Sequence, residues 1–126
     1  MFEVSVAAMF SASHQLRQPD GSYERRHAHD WHVVVTYAGE RLNEMGVLVD
    51  FGVIRAQLHG VIATLRDQNL NELPMFADRA PSAENVAAYV AEALDAAGVG
   101  AELRCVQVEE EHGCVACFYP PRQEAR

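Results

Sequence analysis

No cysteine stands among the first hundred residues of this 126-residue chain, and only Cys105, Cys114 and Cys117 follow. An odd count without a secretory signal argues for reduced thiols rather than a disulfide framework. The Cys114-Val115-Ala116-Cys117 spacing matches half a zinc ribbon, yet a second CxxC is missing. Strand residues i and i+3 also face opposite ways, so the thiols read as small buried strand residues. Basic side chains are scarce as well. Ten Lys and Arg oppose eighteen Asp and Glu, a formal net charge of −8, with no cluster beyond Arg25-Arg26. That balance counts against nucleic acid and against an anionic membrane surface as partners. No apolar run approaches the roughly 20 residues that span a bilayer. No basic-then-apolar leader follows Met1, so the expected location is the cytoplasm. Gly-rich phosphate cradles, internal repeats and low-complexity linkers are also missing.

What is present suits one domain over residues 1–126, 49% hydrophobic, with a modest core. Residues 2–15 alternate, with an apolar even face (Phe2, Val4, Val6, Ala8, Phe10, Ala12) that His14 continues. Pro19-Asp20-Gly21 marks a loop over 16–26. A second strand follows to about Tyr37, its bulkier odd face carrying His27, His29, Trp31, Val33 and Val35. After a connection, VLVDF (47–51) reads as a short extended piece. Ile54, Leu58, Val61, Ile62 and Leu65 then recur at helical spacing. Residues 66–81 read as a long irregular connection, of the kind that often carries function. Ser82 caps a second helix with the stripe Ala87, Val90, Ala91 and Leu94, and Gly98 closes it. Two strands around a tight Glu111-His112-Gly113 turn complete a ββααββ order.

The chemistry concentrates at His27-Ala28-His29. Alternation points both rings the same way, and neutral imidazole is a common zinc ligand, so the pair is half of a possible metal site. His32 falls on the other face, and His59 lies beside the helix stripe as a surface residue. His14, taken alone, is a core or rim histidine.

Together, FSASH (10–14), HAH (27–29), VDF (49–51), PSAEN (81–85) and a terminal strand ending in glutamate resemble the 6-pyruvoyl-tetrahydropterin synthase family. That family includes the 6-carboxy-tetrahydropterin synthases of the queuosine route, and the likeness runs in order over nearly the whole chain. It implies an α+β tunnelling (T-fold) unit: an antiparallel four-stranded sheet, two helices on one face, and a barrel-forming homo-oligomer, trimer or hexamer, with sites at subunit boundaries. It also implies zinc on His14, His27 and His29, with an open position for the side chain of a small-molecule pterin. A glutamate near the last hairpin would accept two N–H bonds from the pterin's amino-pyrimidine edge. Glu109, Glu110 and Glu111 all qualify. Strand parity with Val106 and Val108 favours Glu110; counting back from Tyr119 favours Glu111 unless the hairpin holds one extra residue. Ser82 matches a family threonine near the pterin, with helix capping as its plainer role.

Two departures bear on activity. Where most members place a cysteine, this chain has Tyr23; a family subgroup instead carries E-x-x-H-x-H, which Glu24 to His29 fits. Glu24 is thus the candidate general base, its plainer reading a solvated loop acid. The family's Asp-His pair aligns with Arg66 and Asp67, which makes Asp67 a candidate acid, and His112 is a more remote one. The resemblance implies an enzyme acting on 7,8-dihydroneopterin triphosphate or a close relative, by side-chain cleavage or towards the carboxy product. A degenerate zinc-containing pterin- or purine-binding module is the competing expectation.

Overall fold

In the computed structural model, which describes residues 1–122, two long strands form the frame; residues 123–126 of the expected domain lie outside the described residues. β1 (Phe2–His14) and β2 (His27–Gly39) pair antiparallel without interruption from Phe2↔Gly39 to His14↔His27. Alternation decides the register. It sets Val6 opposite Val35 and Phe10 opposite Trp31, so that both apolar faces coincide. β2 next pairs with β3 (Glu102–Glu111), and β3 with β4 (Cys114–Phe118), giving the antiparallel order β1-β2-β3-β4.

The helices between β2 and β3 lie on one face of this sheet. α1 (Phe51–Ile62) contributes Ile54, Leu58 and Ile62; α2 (Ala83–Ala97) contributes Val86, Ala87, Val90, Ala91 and Leu94. They join Val6, Phe10, Trp31, Val33, Val35, Val106 and Val108 in one buried cluster. A 12-residue helix is marginal alone in water. Each fully buried Leu, Ile or Val contributes roughly 1.5–3 kcal/mol, so packing on the sheet holds α1 in place. The opposite sheet face carries exposed Met9 and Val115. Among the described residues no helix is long and apolar enough to cross a membrane.

The expected ββααββ order is observed, with several differences. β2 continues past Tyr37 to Gly39. VLVDF is not extended: Asp50 caps α1 by accepting the Gly52 N–H at 2.8 Å, and Phe51 already belongs to the helix. The connection after α1 holds two short 3-10 turns, Leu70–Glu72 and Pro74–Phe76, which bury Leu70 and Phe76. The thiols are reduced, but Cys114 and Cys117 are exposed rather than buried and Cys105 is half-buried. β4 is an edge strand, and period-2 patterning does not reveal which strand takes the edge.

Candidate metal centre

The strand register that aligns the core also assembles the site. His14 ends β1 directly opposite His27, and Ala12 lies opposite His29, so the three rings gather at one end of the sheet on its helix-facing side. Ring centroids lie 4.6 Å apart for His14–His27 and His27–His29, and 5.4 Å apart for His14–His29. Trp31 forms the floor, edge-on to His14 and His29, its indole N–H donating to the Ala12 carbonyl at 3.2 Å.

Hydrogen bonds define which nitrogens are free. His14 Nδ1–H donates to the Pro81 carbonyl at 2.8 Å, and His27 Nδ1–H donates to the Arg25 carbonyl at 2.9 Å. A carbonyl only accepts, so both Nδ1 atoms carry hydrogen and, in neutral rings, both Nε2 atoms present lone pairs. These two Nε2 atoms are nevertheless 2.9 Å apart. His29 Nε2 is buried with no hydrogen-bond partner. Burial pushes the pKa of His14 below the ordinary imidazole value, outweighing the opposite pull of the Pro81 bond and Glu110. His14 and His27 thus turn lone pairs inward, and a cation between the rings would satisfy them and the partnerless His29 Nε2 together. Ligands 2.0–2.1 Å from a tetrahedral zinc lie roughly 3.3 Å from one another, so only a small opening would admit the ion.

Glu110 joins the group. Its Oε1 is 2.9 Å from His14 Nε2, and one ligand atom from each of His14, His27, His29 and Glu110 lies within 4.8 Å of all the others. The three candidate glutamates separate as parity predicts. Glu109 sits 3.8 Å from His32, beside Met9 and Gln107 on the opposite face. Glu111 is exposed beside Cys114. The β3–β4 pairing shifts between Glu109↔Val115 and Glu111↔Cys114, so Glu110 is the extra residue that would reconcile the Tyr119 count.

Glu24 lies at the rim, half-buried, its Oε1 accepting the Leu16 N–H at 3.0 Å and standing 3.8 Å from His27 Nε2. The 16–24 segment is more ordered than a bare loop. Glu24 N–H donates to the Leu16 carbonyl, and Arg17 bridges Tyr23. Tyr23 is exposed. The Ser82 hydroxyl accepts the Asn85 N–H at 3.2 Å and caps α2, next to the Pro81 carbonyl that orients His14. Asp67 is not brought to the histidines. It lines a recess with Ser11, Ser13 and Ala28, whose side chains belong to the opposite face of the sheet. Its backbone is left-handed (φ 60°), held by its N–H to the Ser11 carbonyl at 2.7 Å. His112 sits exposed in the β3–β4 turn, outside the cluster.

Sequence reasoning missed the supports. Asn71 clasps Gln15, accepting its N–H and donating to its carbonyl, each at 2.9 Å, and so fixes the chain just beyond His14. The Pro81 and Arg25 carbonyls that set the tautomers are backbone groups, and side-chain patterns carry no trace of them.

A candidate metal-holding cluster thus lies at the end of an antiparallel sheet backed by two helices, as the resemblance to the tetrahydropterin synthases implies. The 6-pyruvoyl tetrahydropterin synthase family model matches residues 3–121, and the chain belongs to that family. It is 32% identical over 118 residues to the 6-carboxy-5,6,7,8-tetrahydropterin synthase of Synechocystis sp., covering 90% of this chain and 89% of that protein. In fold it matches the 6-pyruvoyl tetrahydropterin synthase of Caenorhabditis elegans with a TM-score of 0.86 at 22% identity, over 95% of this chain and 96% of the other. It also matches a Plasmodium vivax 6-pyruvoyltetrahydropterin synthase, described as a catalytic-residue mutant with glutamate changed to alanine. The TM-score there is 0.72 at 15% identity, over 94% and 97% of the two chains. The fold is therefore the T-fold.

Proposed function

We propose that this chain is a zinc-dependent tetrahydropterin synthase acting on 7,8-dihydroneopterin triphosphate or a close relative. The observation that carries this reading is the convergence of His14, His27 and His29 at one point, with the Nε2 atoms of His14 and His27 free of hydrogen in neutral rings. Three imidazoles with a neighbouring carboxylate suit zinc, and zinc when bound would supply Lewis acidity towards hydroxyl and carbonyl oxygens of the pterin side chain. The 6-carboxy product is the favoured outcome, because the Synechocystis relative bears that name at 32% identity.

This chain's own groups do the rest. Glu24 is the base that takes a proton from the side-chain carbon. The Leu16 N–H orients its carboxylate, and the Plasmodium fold relative is described with a glutamate as its catalytic residue. Glu110 receives the amino-pyrimidine edge of the ring, a pairing that satisfies two parallel N–H donors with one carboxylate. Ser82 offers its O–H to the ring while its oxygen continues to cap α2. Asp67 serves as an acid for the site of a neighbouring copy, since its own face of the sheet is turned from its own histidines. The active protein is accordingly a homo-oligomer.

Purified protein assayed for zinc and then for consumption of dihydroneopterin triphosphate tests the proposal. Stoichiometric zinc that is lost in His27→Ala, with turnover to a carboxy-pterin, is expected. Zinc unaffected by that change would refute the site. The exposed Tyr23 at the position where most members hold cysteine favours one other reading, a module that binds pterin without turning it over. Tight zinc and bound pterin with no product would select it.

A further inference from the structure

A carboxylate whose partners are all acceptors is an unusual neighbour for an imidazole lone pair. Glu110 Oε1 is 2.9 Å from His14 Nε2, while His14 Nδ1 already spends its hydrogen on the Pro81 carbonyl. Among the described residues no arginine lies within ion-pair distance of Glu110, and its side chain is only 24% exposed. Strand parity with Val106 and Val108 turns this glutamate inward, and the β-bulge between Glu109 and Glu111 leaves it without a β4 partner. A proton shared between His14 and Glu110 would satisfy that pair, but it would leave the buried Nε2 of His29 without a partner. One ion at the common point answers all four groups.

We propose that Glu110 is the fourth protein ligand of the metal while no substrate is bound. The inference rests on the zinc reading above and adds that the resting centre is closed, with three imidazoles and one carboxylate on the ion instead of three imidazoles and an open position. A catalytic zinc needs a vacant or exchangeable position, so the carboxylate must leave the ion when substrate enters. A glutamate side chain can swing by several ångströms about its own torsions, and a pterin edge with two N–H donors is a suitable group to receive it. Glu110 would thus exchange one partner for the other, and the metal would be uncovered only when a ring occupies the pocket.

Cobalt(II)-loaded protein titrated with azide tests this by its visible absorption, with no turnover needed. The parent protein is expected to keep its spectrum, because no position is free, whereas Glu110→Ala is expected to shift as azide enters the vacated one. Glu109→Gln, altered on the opposite face, is expected to behave as the parent does. Folded Glu110→Ala that no longer retains cobalt would also support the proposal. A parent spectrum that responds to azide as readily as Glu110→Ala would overturn it, as would cobalt affinity and azide response both unchanged by the substitution. Failure of the parent to bind cobalt or zinc at all would instead remove the zinc reading on which it stands.

Discussion

Glu24 and Glu110 are carboxylates of one cluster held by different means, and the difference fits the roles proposed for them. Glu24 takes an N–H bond from Leu16 and stands 3.8 Å from His27 Nε2, close to the four clustered groups without being one of them. Glu24→Gln should therefore keep its zinc and lose roughly 10²–10⁴ in kcat, the usual share of a general base. Metal analysis alongside the rate measurement checks both halves; loss of zinc with activity would move Glu24 into the ligand set. Tyr37 offers a contrasting residue with no part in the chemistry. Its hydroxyl is buried with no hydrogen-bond partner, and its pKa is raised by burial first and by Asp95 second. The unfolded chain releases that proton near pH 10 and the folded one only at higher pH. Between those values the unfolded state binds fewer protons, so stability falls as pH rises above about 10. Tyr37→Phe should lessen that alkaline loss, and at neutral pH it should be neutral or gain up to about 1 kcal/mol. Denaturant unfolding at pH 7 and above pH 10 measures both.

Much of the arrangement of strands and helices could be read beforehand, because alternation over thirteen residues leaves little choice of face for Phe10, Trp31 or the three histidines. The same parity singled out Glu110 from its two neighbours. Features set by tertiary context were not legible. Asp50 caps α1 only because the preceding bend brings its side chain to the Gly52 N–H, and Cys117 is exposed because it shares the face of Val115, which no helix covers. Asp67 aligned well enough by sequence, yet an element boundary put it on the far face. The two caps allow structural and binding roles to be separated. Asp50→Ala should cost about 1 kcal/mol of stability and leave kinetics alone, since it only starts a helix. Ser82→Ala should cost about the same and also raise KM, because its hydroxyl is proposed to meet the pterin. Thermal unfolding set beside KM decides. A Ser82→Ala change in stability alone would leave that serine a cap and nothing more.

Both edge strands, β1 and β4, retain unpaired backbone groups, and a long uncovered edge is a template for another strand. β1 is covered only near its end, where Ser13 N–H donates to the Gln68 carbonyl and Ser13 bridges Asn69. Closing several such sheets edge to edge would remove these edges, and on the reading proposed above the Asp67 of one copy would serve the histidines of another. The consequence is measurable. On that reading His27→Ala would lack a metal ligand and Asp67→Ala the acid, so each should be inactive as a homo-oligomer of parental size. When equal amounts are dissociated and reassembled together, some boundaries join intact histidines from one variant to an intact Asp67 from the other. Random cyclic assembly restores such boundaries at about one site in four, so about a quarter of the parental activity should return. If each site were built within a single copy, mixing would restore nothing, because no copy in the mixture would hold both groups. An Asp67→Ala protein as active as the parent would exclude Asp67 from the chemistry and leave Glu24 as its sole acid–base group.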